Sequence, residues 1–224
     1  MITVCELVQR RSGMSVEEFQ AYWRDVHGPI VSRLPGVTRY VQCHPLLGGY
    51  RKGPLVYDGV AELSFESKDA LRAAASTAEF AAAKRDEPNF IDTATLVELV
   101  VDQVVIKDGV RPAEGVRSIA FVRFPDGMAP EEGHRYWRDV HGPLAVGIPQ
   151  LRRYVQYHVR MGAYGRAEAP AWDGMAMTWF DGIEDMRASA GTAAYAAVRA
   201  DGPLILRDDR SPTLLCRELV LVDG

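Results

Sequence analysis

Four histidines of this chain fall into two pairs, and each pair keeps the same company. His27 lies in Tyr22 to Pro29, YWRDVHGP, and the same eight letters return at Tyr136 to Pro143 with His141. Downstream, Tyr40, Gln42 and His44 at alternate positions return as Tyr154, Gln156 and His158. Imidazole titrates near neutral pH, a tyrosine hydroxyl can donate to a developing oxyanion, and a carboxamide can orient a carbonyl. Together they suit proton movement on an enolisable or phenolic molecule. His27, His44, His141 and His158 are the candidate acid and base groups, and Tyr40 and Tyr154 the candidate oxyanion donors. Gln42 and Gln156 are candidates to orient substrate. Trp23 and Trp137, four residues before His27 and His141 and so on the same helix flank, are candidate apolar walls. A helix-capping histidine and a strand with one solvated face are the structural alternatives for these positions.

A shift of 114 residues aligns the two octets (136 − 22) and carries on through Pro35, Arg39, Tyr40, Val41, Gln42 and His44. One inserted residue later, Asp58-Gly59 faces Asp173-Gly174 and Pro88 faces Pro203. The chain therefore reads as two homologous modules, 1–110 and 111–224, joined near Lys107 to Gly115.

Within a module, Ile2 to Arg10 has the β-branched content of a strand. Ser15 with Glu18 three residues on is a capping-box signal, and Phe19, Trp23, Val26 and Ile30 follow as an apolar helical stripe. The helix is expected to break at Gly28-Pro29. Val37 to His44 and Asp58 to Phe65 alternate as strands, Ser67 to Lys84 is helical, and Thr95 to Ile106 is a last strand. The order β-α-β-β-α-β is that of a ferredoxin-like α+β module. Its bare sheet face needs a cover, so the two modules are expected to pack sheet to sheet as a pseudo-twofold α+β barrel. In the strand Val37 to His44 the more apolar set, Val37, Arg39, Val41 and Cys43, is assigned to the helices. Tyr40, Gln42 and His44 then turn toward the space between the sheets and line a pocket. In the second copy Ala129-Pro130 replaces the Ser15 cap, and Gly133 replaces Phe19, which removes a core side chain.

The bulk numbers narrow the partners. Net charge is −4, with 47% hydrophobic and 25% charged residues. Lysine and arginine are scattered, so nucleic acid is excluded as a partner. No apolar run approaches the length of a membrane span, and cytoplasmic location follows by default. Cys5, Cys43 and Cys216 lack a CxxC spacing, which suits a reducing compartment. There is no GxGxxG, Walker loop, GxSxG or HExxH, and no close carboxylate and histidine spacing for a metal or haem; no metal or cofactor is assigned.

Phe19 to Pro29 (F-x-x-Y-W-x-x-x-H-G-P), Pro35 to His44 (P-G-V-x-x-Y-V-Q-x-H) and Glu87 to Asp92 (E-P-N-F-I-D) resemble the EthD family. The second module keeps Tyr136 to Pro143 and Tyr154 to His158 but alters the third element to Gly202-Pro203-Leu204-Ile205-Leu206. The resemblance implies the dimeric α+β barrel superfamily, with tandem members similar to a fused dimer. Relatives of that superfamily include dehydratases, decarboxylases, isomerases, cyclases, cofactor-free monooxygenases and haem proteins. The leading expectation is a cofactor-independent lyase or isomerase acting on a small cyclic, phenolic or polyketide-like metabolite. An oxygen-using or haem-binding member and a non-catalytic small-molecule binding module are the alternatives. The expected assembly is an intramolecular pseudo-dimer, with further homodimerisation left open.

Overall fold

The computed structural model describes residues 1–207 and 211–224. The first half runs β1 (Ile2–Val8), α1 (Val16–Tyr22), a π turn (Trp23–His27), α2 (Gly28–Val31), β2 (Val37–Pro45), β3 (Gly59–Phe65), α3 (Lys68–Ala74), α4 (Ala78–Asp86) and β4 (Val97–Lys107). The second half repeats it as β5 (Val116–Val122), α5 (Pro130–Tyr136), a π turn (Trp137–His141), α6 (Gly142–Val146), β6 (Arg153–Val159), β7 (Gly174–Phe180), α7 (Ile183–Ser189), α8 (Ala193–Asp201) and β8 (Thr213–Asp223). None of the described helices is long and apolar enough to cross a membrane.

The chain folds as two compact units, Met1–Val100 with Glu218–Gly224, and Val101–Arg217. In the first, β3 is central, pairing antiparallel with β1 from Ile2↔Phe65 to Val8↔Gly59 and with β2 from Val37↔Phe65 to Cys43↔Val60. In the second, β7 takes that place between β5 and β6. The eleven-residue strands β4 and β8 are each divided: Val101 to Lys107 of β4 pair with β6 in the second unit, and the end of β8 belongs to the first. Followed along these two strands, the hydrogen-bonded order β1-β3-β2-β8-β5-β7-β6-β4 closes on itself as an antiparallel barrel in an α+β chain.

The helix that carries YWRDVHGP departs from expectation. It does not break at Gly28-Pro29: both are helical, Pro29 sits in the first turn of α2, and the helix continues to Val31. What intervenes is a π turn in which the Gly28 N–H reaches back five residues to the Trp23 carbonyl. The extra residue rotates the downstream face. Phe19, Trp23, His27 and Val31, each four apart, are buried, whereas Val26, placed in the apolar stripe, is 43% exposed. Val140 is exposed for the same reason in the second copy. The capping box at Ser15 forms in full, with Glu18 N–H donating to Ser15 Oγ at 3.1 Å and Ser15 N–H to Glu18 Oε2 at 2.8 Å.

A second correction concerns β2. Tyr40, Gln42 and His44 point at the helices and not at the opposite face, because Gln42 bonds the Trp23 backbone and the His44 ring lies 4.7 Å from that of Trp23. Cys43 lies on the other face, its Sγ 3.7 Å from Glu62 Oε1. The helix backbone at the π turn is polar enough to claim the polar side of the strand. Nor does Gly133 leave a hole, for a Cβ built there would stand 2.4 Å from Phe124 Cδ2. Phe124, the counterpart of Arg10, fills the volume that Phe19 holds in the first copy.

Candidate active site

The π turn delivers His27 to the end of α4. His27 Nδ1 lies 2.9 Å from Asp86 Oδ2, and the Tyr22 hydroxyl donates to Asp86 Oδ1 at 2.7 Å, with Asn89 Nδ2 on the same oxygen at 3.0 Å. The second copy repeats the arrangement: His141 Nδ1 to Asp201 Oδ2 at 2.7 Å and Tyr136 to Asp201 Oδ1 at 2.7 Å. A carboxylate can only accept, so each histidine carries its proton on Nδ1 and leaves Nε2 bare. Burial opposes the Asp86 charge, but hydrogen bonds from Tyr22, Asn89 and His27 outweigh it and hold the carboxyl below its usual pKa. Burial pushes His27 below the ordinary histidine value, with the Asp86 bond working against that shift. The ring is thus a neutral base at physiological pH, 4% exposed and 4.6 Å from the Phe90 ring.

Asp86 and Asp201 are functional candidates that sequence reasoning missed. They share the one-residue-longer offset of Pro88 and Pro203, so the repeat alignment held the signal.

Beside this dyad runs a chain of hydrogen bonds from the strand into the helix. Gln42 Nε2 donates to the Trp23 carbonyl at 2.9 Å and to the Tyr40 hydroxyl at 2.8 Å. A backbone carbonyl only accepts, which fixes the amide and leaves Gln42 Oε1 facing His44 Nε2 at 2.9 Å. His44 is therefore the Nε2–H tautomer, opposite to His27. In the second copy Gln156 Nε2 meets Trp137 O at 2.8 Å and the Tyr154 hydroxyl at 3.1 Å, and His158 Nε2 meets Gln156 Oε1 at 2.8 Å. Both N–H groups of each glutamine are used on the protein, so neither is left for a substrate carbonyl. Burial, then the Arg24 charge, drops His44 to about 4; burial, then His134 and Arg138, drop His158 to about 3.

The tyrosines sit differently. The Tyr154 hydroxyl accepts from Gln156 and from Trp137 Nε1 at 3.0 Å, so its own proton remains to be given away. Burial raises its pKa to about 12, and Tyr40 moves in the same direction for the same reason. Trp23 and Trp137 are 2% and 1% exposed and belong to the packing under the helix. Gly59 and Gly174 make room for them, since a Cβ on either would stand 2.3 or 2.5 Å from the indole. Gly28 and Gly142 in turn let the glutamine amide approach: a Cβ would lie 3.2 and 2.6 Å from Nε2. The octet thus resolves by residue. Tyr22 and His27 hold Asp86, Trp23 packs, Arg24 and Asp25 pair on the surface at 2.7 Å, and Gly28 admits Gln42.

Beside the strand chain the copies differ at the contact made by the helix residue three before Trp23 or Trp137. His134, the counterpart of Gln20, stacks on His158 with centroids 4.5 Å apart and donates from Nε2 to the Asp173 carbonyl at 2.9 Å. Gln20 instead donates to the Pro45 carbonyl at 2.7 Å.

The EthD domain model matches residues 11–94 and 125–205, which include both dyads and both strand chains. The chain belongs to the EthD family. Among solved structures, this EthD chain is similar to an anthrone oxidase-like protein, at a TM-score of 0.66 and 12% identity over 98% of this chain and 93% of that one. It is also similar to a mutant chlorite dismutase from Candidatus Nitrospira defluvii, at a TM-score of 0.55 and 10% identity over 98% and 92%. At these identities the likeness is one of fold. No curated protein matches the chain.

Proposed function

We propose that this EthD chain, read as two ferredoxin-like modules, is a cofactor-independent lyase or isomerase that moves protons on a small cyclic, phenolic or polyketide-like molecule. The observation that supports this is the duplicated histidine held through Nδ1 by a buried, tyrosine-bonded aspartate. In this reading Nε2 of His27 or His141 takes a proton from an acidic C–H or O–H of the substrate. Asp86 or Asp201 stabilises the imidazolium so formed, as in other carboxylate-held histidine bases. The hydroxyl proton of Tyr40 or Tyr154 meets the oxygen on which enolate or phenolate charge collects. The imidazolium then returns the proton to another carbon, giving an isomer, or to a departing hydroxyl, giving water and a new double bond. His44 and His158 act through the glutamines: they fix the amides that aim the tyrosines and anchor the π turn.

The test is turnover without oxygen, metal or added cofactor. A panel of cyclic enones, phenols and aromatic β-polycarbonyl compounds is incubated anaerobically with metal-free protein in D2O, and mass spectra follow isomers, loss of water and deuterium uptake. Enzyme-dependent conversion that falls at least 100-fold in the His27→Gln, His141→Gln double variant is expected. Conversion that needs oxygen, or a Soret band in the purified protein, would favour the oxygen-using alternative and overturn this reading.

A further inference from the structure

The rows of side chains that face the helices differ between the two units. In the first, register sets Glu6, Ala61 and Gln42 side by side, and next to them Val4, Leu63 and Tyr40. In the second the same rows read Ala120, Ala176, Gln156 and Ser118, Thr178, Tyr154. Three larger side chains, Val4, Glu6 and Leu63, have become Ser118, Ala120 and Thr178.

In the first unit Val4 and Glu6 are half-buried, as Ser118 and Ala120 are in the second, and the β3 part of the floor is covered. Lys84 of α4 reaches down to Glu6 Oε1 at 3.2 Å and is held by Glu87 at 2.8 Å and Glu98 at 3.2 Å. Ala61 is 3% exposed and Leu63 8%, and both belong to a helix–sheet core that includes Phe19, Ala83 and Phe90. In the second unit Glu87 is replaced by Gly202 and Lys84 by Arg199. Ala176 and Thr178 of β7, unlike Ala61 and Leu63 of β3, are only half-buried although β7 has partners on both edges. α8 has no buried residue, and among the described residues a cluster of Val122, Phe124, Trp137 and Ile205 forms on this side with Ala176 packed against its edge. The smaller side chains of this floor, with solvent access at Ala176 and Thr178, leave room that Val4, Glu6 and Leu63 take up in the first unit.

That space adjoins the candidate base. Ala120 and Ala176 lie in one register row with Gln156, whose Nε2 is 2.8 Å from the Trp137 carbonyl of the π turn that ends at His141, so the missing carboxylate at Ala120 falls beneath that turn. The His141 side chain is 12% exposed against 5% for His27.

The geometry points to one ligand site per chain, on the floor of Ser118, Ala120, Ala176 and Thr178 beside His141. The matching space in the first unit is occupied by the Glu6–Lys84 pair. Methyl groups and two hydroxyls without a formal charge suit a compact uncharged ring bearing a hydroxyl or carbonyl. The site rests on the proton-transfer reading only for the role of His141.

Amide NMR titrations with phenol and with 1-tetralone test it on the full chain. Saturable shifts are expected at Ser118, Ala120, Ala176 and Thr178 and not at Val4, Glu6, Ala61 or Leu63. Ala176→Leu should weaken binding at least 10-fold, and Ala120→Val, a smaller plug in a strand-compatible residue, should weaken it in the same direction. Equal shifts in both units, shifts confined to the first, no saturable shift for either probe, or a Kd unchanged by both plugs would overturn the proposal. Binding in the second unit without turnover leaves the site standing and removes the proton-transfer reading. Turnover lost equally in His27→Gln and His141→Gln, with two probe molecules bound, does the reverse.

Discussion

Replacing Gln156 by leucine isolates the bond chain that ties β6 to the π turn. Gln156 is fully buried and makes three contacts: 2.8 Å to the Trp137 carbonyl, 3.1 Å to the Tyr154 hydroxyl and 2.8 Å from His158 Nε2. Leucine has a similar volume, so cavity formation contributes little. The His158 N–H loses its acceptor, which costs about 1–3 kcal/mol for a buried orphan donor. Trp137 O keeps the Gly142 N–H and Tyr154 keeps Trp137 Nε1, so those two losses add about 0.5–1.5 kcal/mol each. The greater apolarity of leucine offsets part of the sum. A net cost of about 3 kcal/mol lowers Tm by roughly 6–12 °C in a chain of this size. Urea unfolding followed by tryptophan fluorescence gives the free energy, and histidine 15N shifts show whether His158 loses its fixed Nε2–H form. A loss below about 1 kcal/mol with the tautomer unchanged would refute the claim that this amide holds the turn.

Two further outcomes follow from the same contacts. Gly133→Phe collides with Phe124, and Phe124→Arg empties its place, so each alone is expected to cost about 2–4 kcal/mol. Together they rebuild the Arg10 and Phe19 pairing of the first unit, with Asp173 available to the arginine as Asp58 is to Arg10. Thermal melts should therefore give a double variant more stable than the sum of the singles by about 1–2 kcal/mol, and strict additivity would contradict the compensation. Acid should weaken the fold through His44 and His158, held at about 4 and about 3. Their folded values lie below the unfolded value near 6.5, so the unfolded chain binds more protons in that window. Their contribution is complete above about pH 6.5 and is lost as pH falls toward 4 and 3, at up to about 1.4 kcal/mol per pH unit for each. Urea unfolding at pH 7 and pH 5 should differ by about 2–4 kcal/mol from this source, and His44→Asn with His158→Asn should flatten the difference. An unflattened slope would place the acid sensitivity elsewhere.

The element order was legible because each segment carries its own period, and because the repeat offers every segment twice. The face of the helix beyond Trp23 was not. A π turn inserts one residue without altering composition, so Val26 reads as core and His27 as flank until the Trp23 carbonyl is seen bonded to Gly28 and Gln42. Alternation in β2 separated Tyr40, Gln42 and His44 from Val41 and Cys43 correctly. It could not say which set met the helices, since that choice is made by a backbone carbonyl on another element. His27 was identified as a candidate, but its partner stands 59 residues away on α4. Only the equal offset of Asp86 and Asp201 pointed to it.

The proposal for His27 and His141 turns on which ring nitrogen is bare. Long-range 1H–15N correlation of the imidazoles at pH 7.5 resolves this for all four repeated histidines in one spectrum. His27 and His141 should carry the proton on Nδ1 with Nε2 free, and His44 and His158 should show the reverse. Nε2–H forms at His27 and His141 would leave no base facing a substrate and would contradict the account.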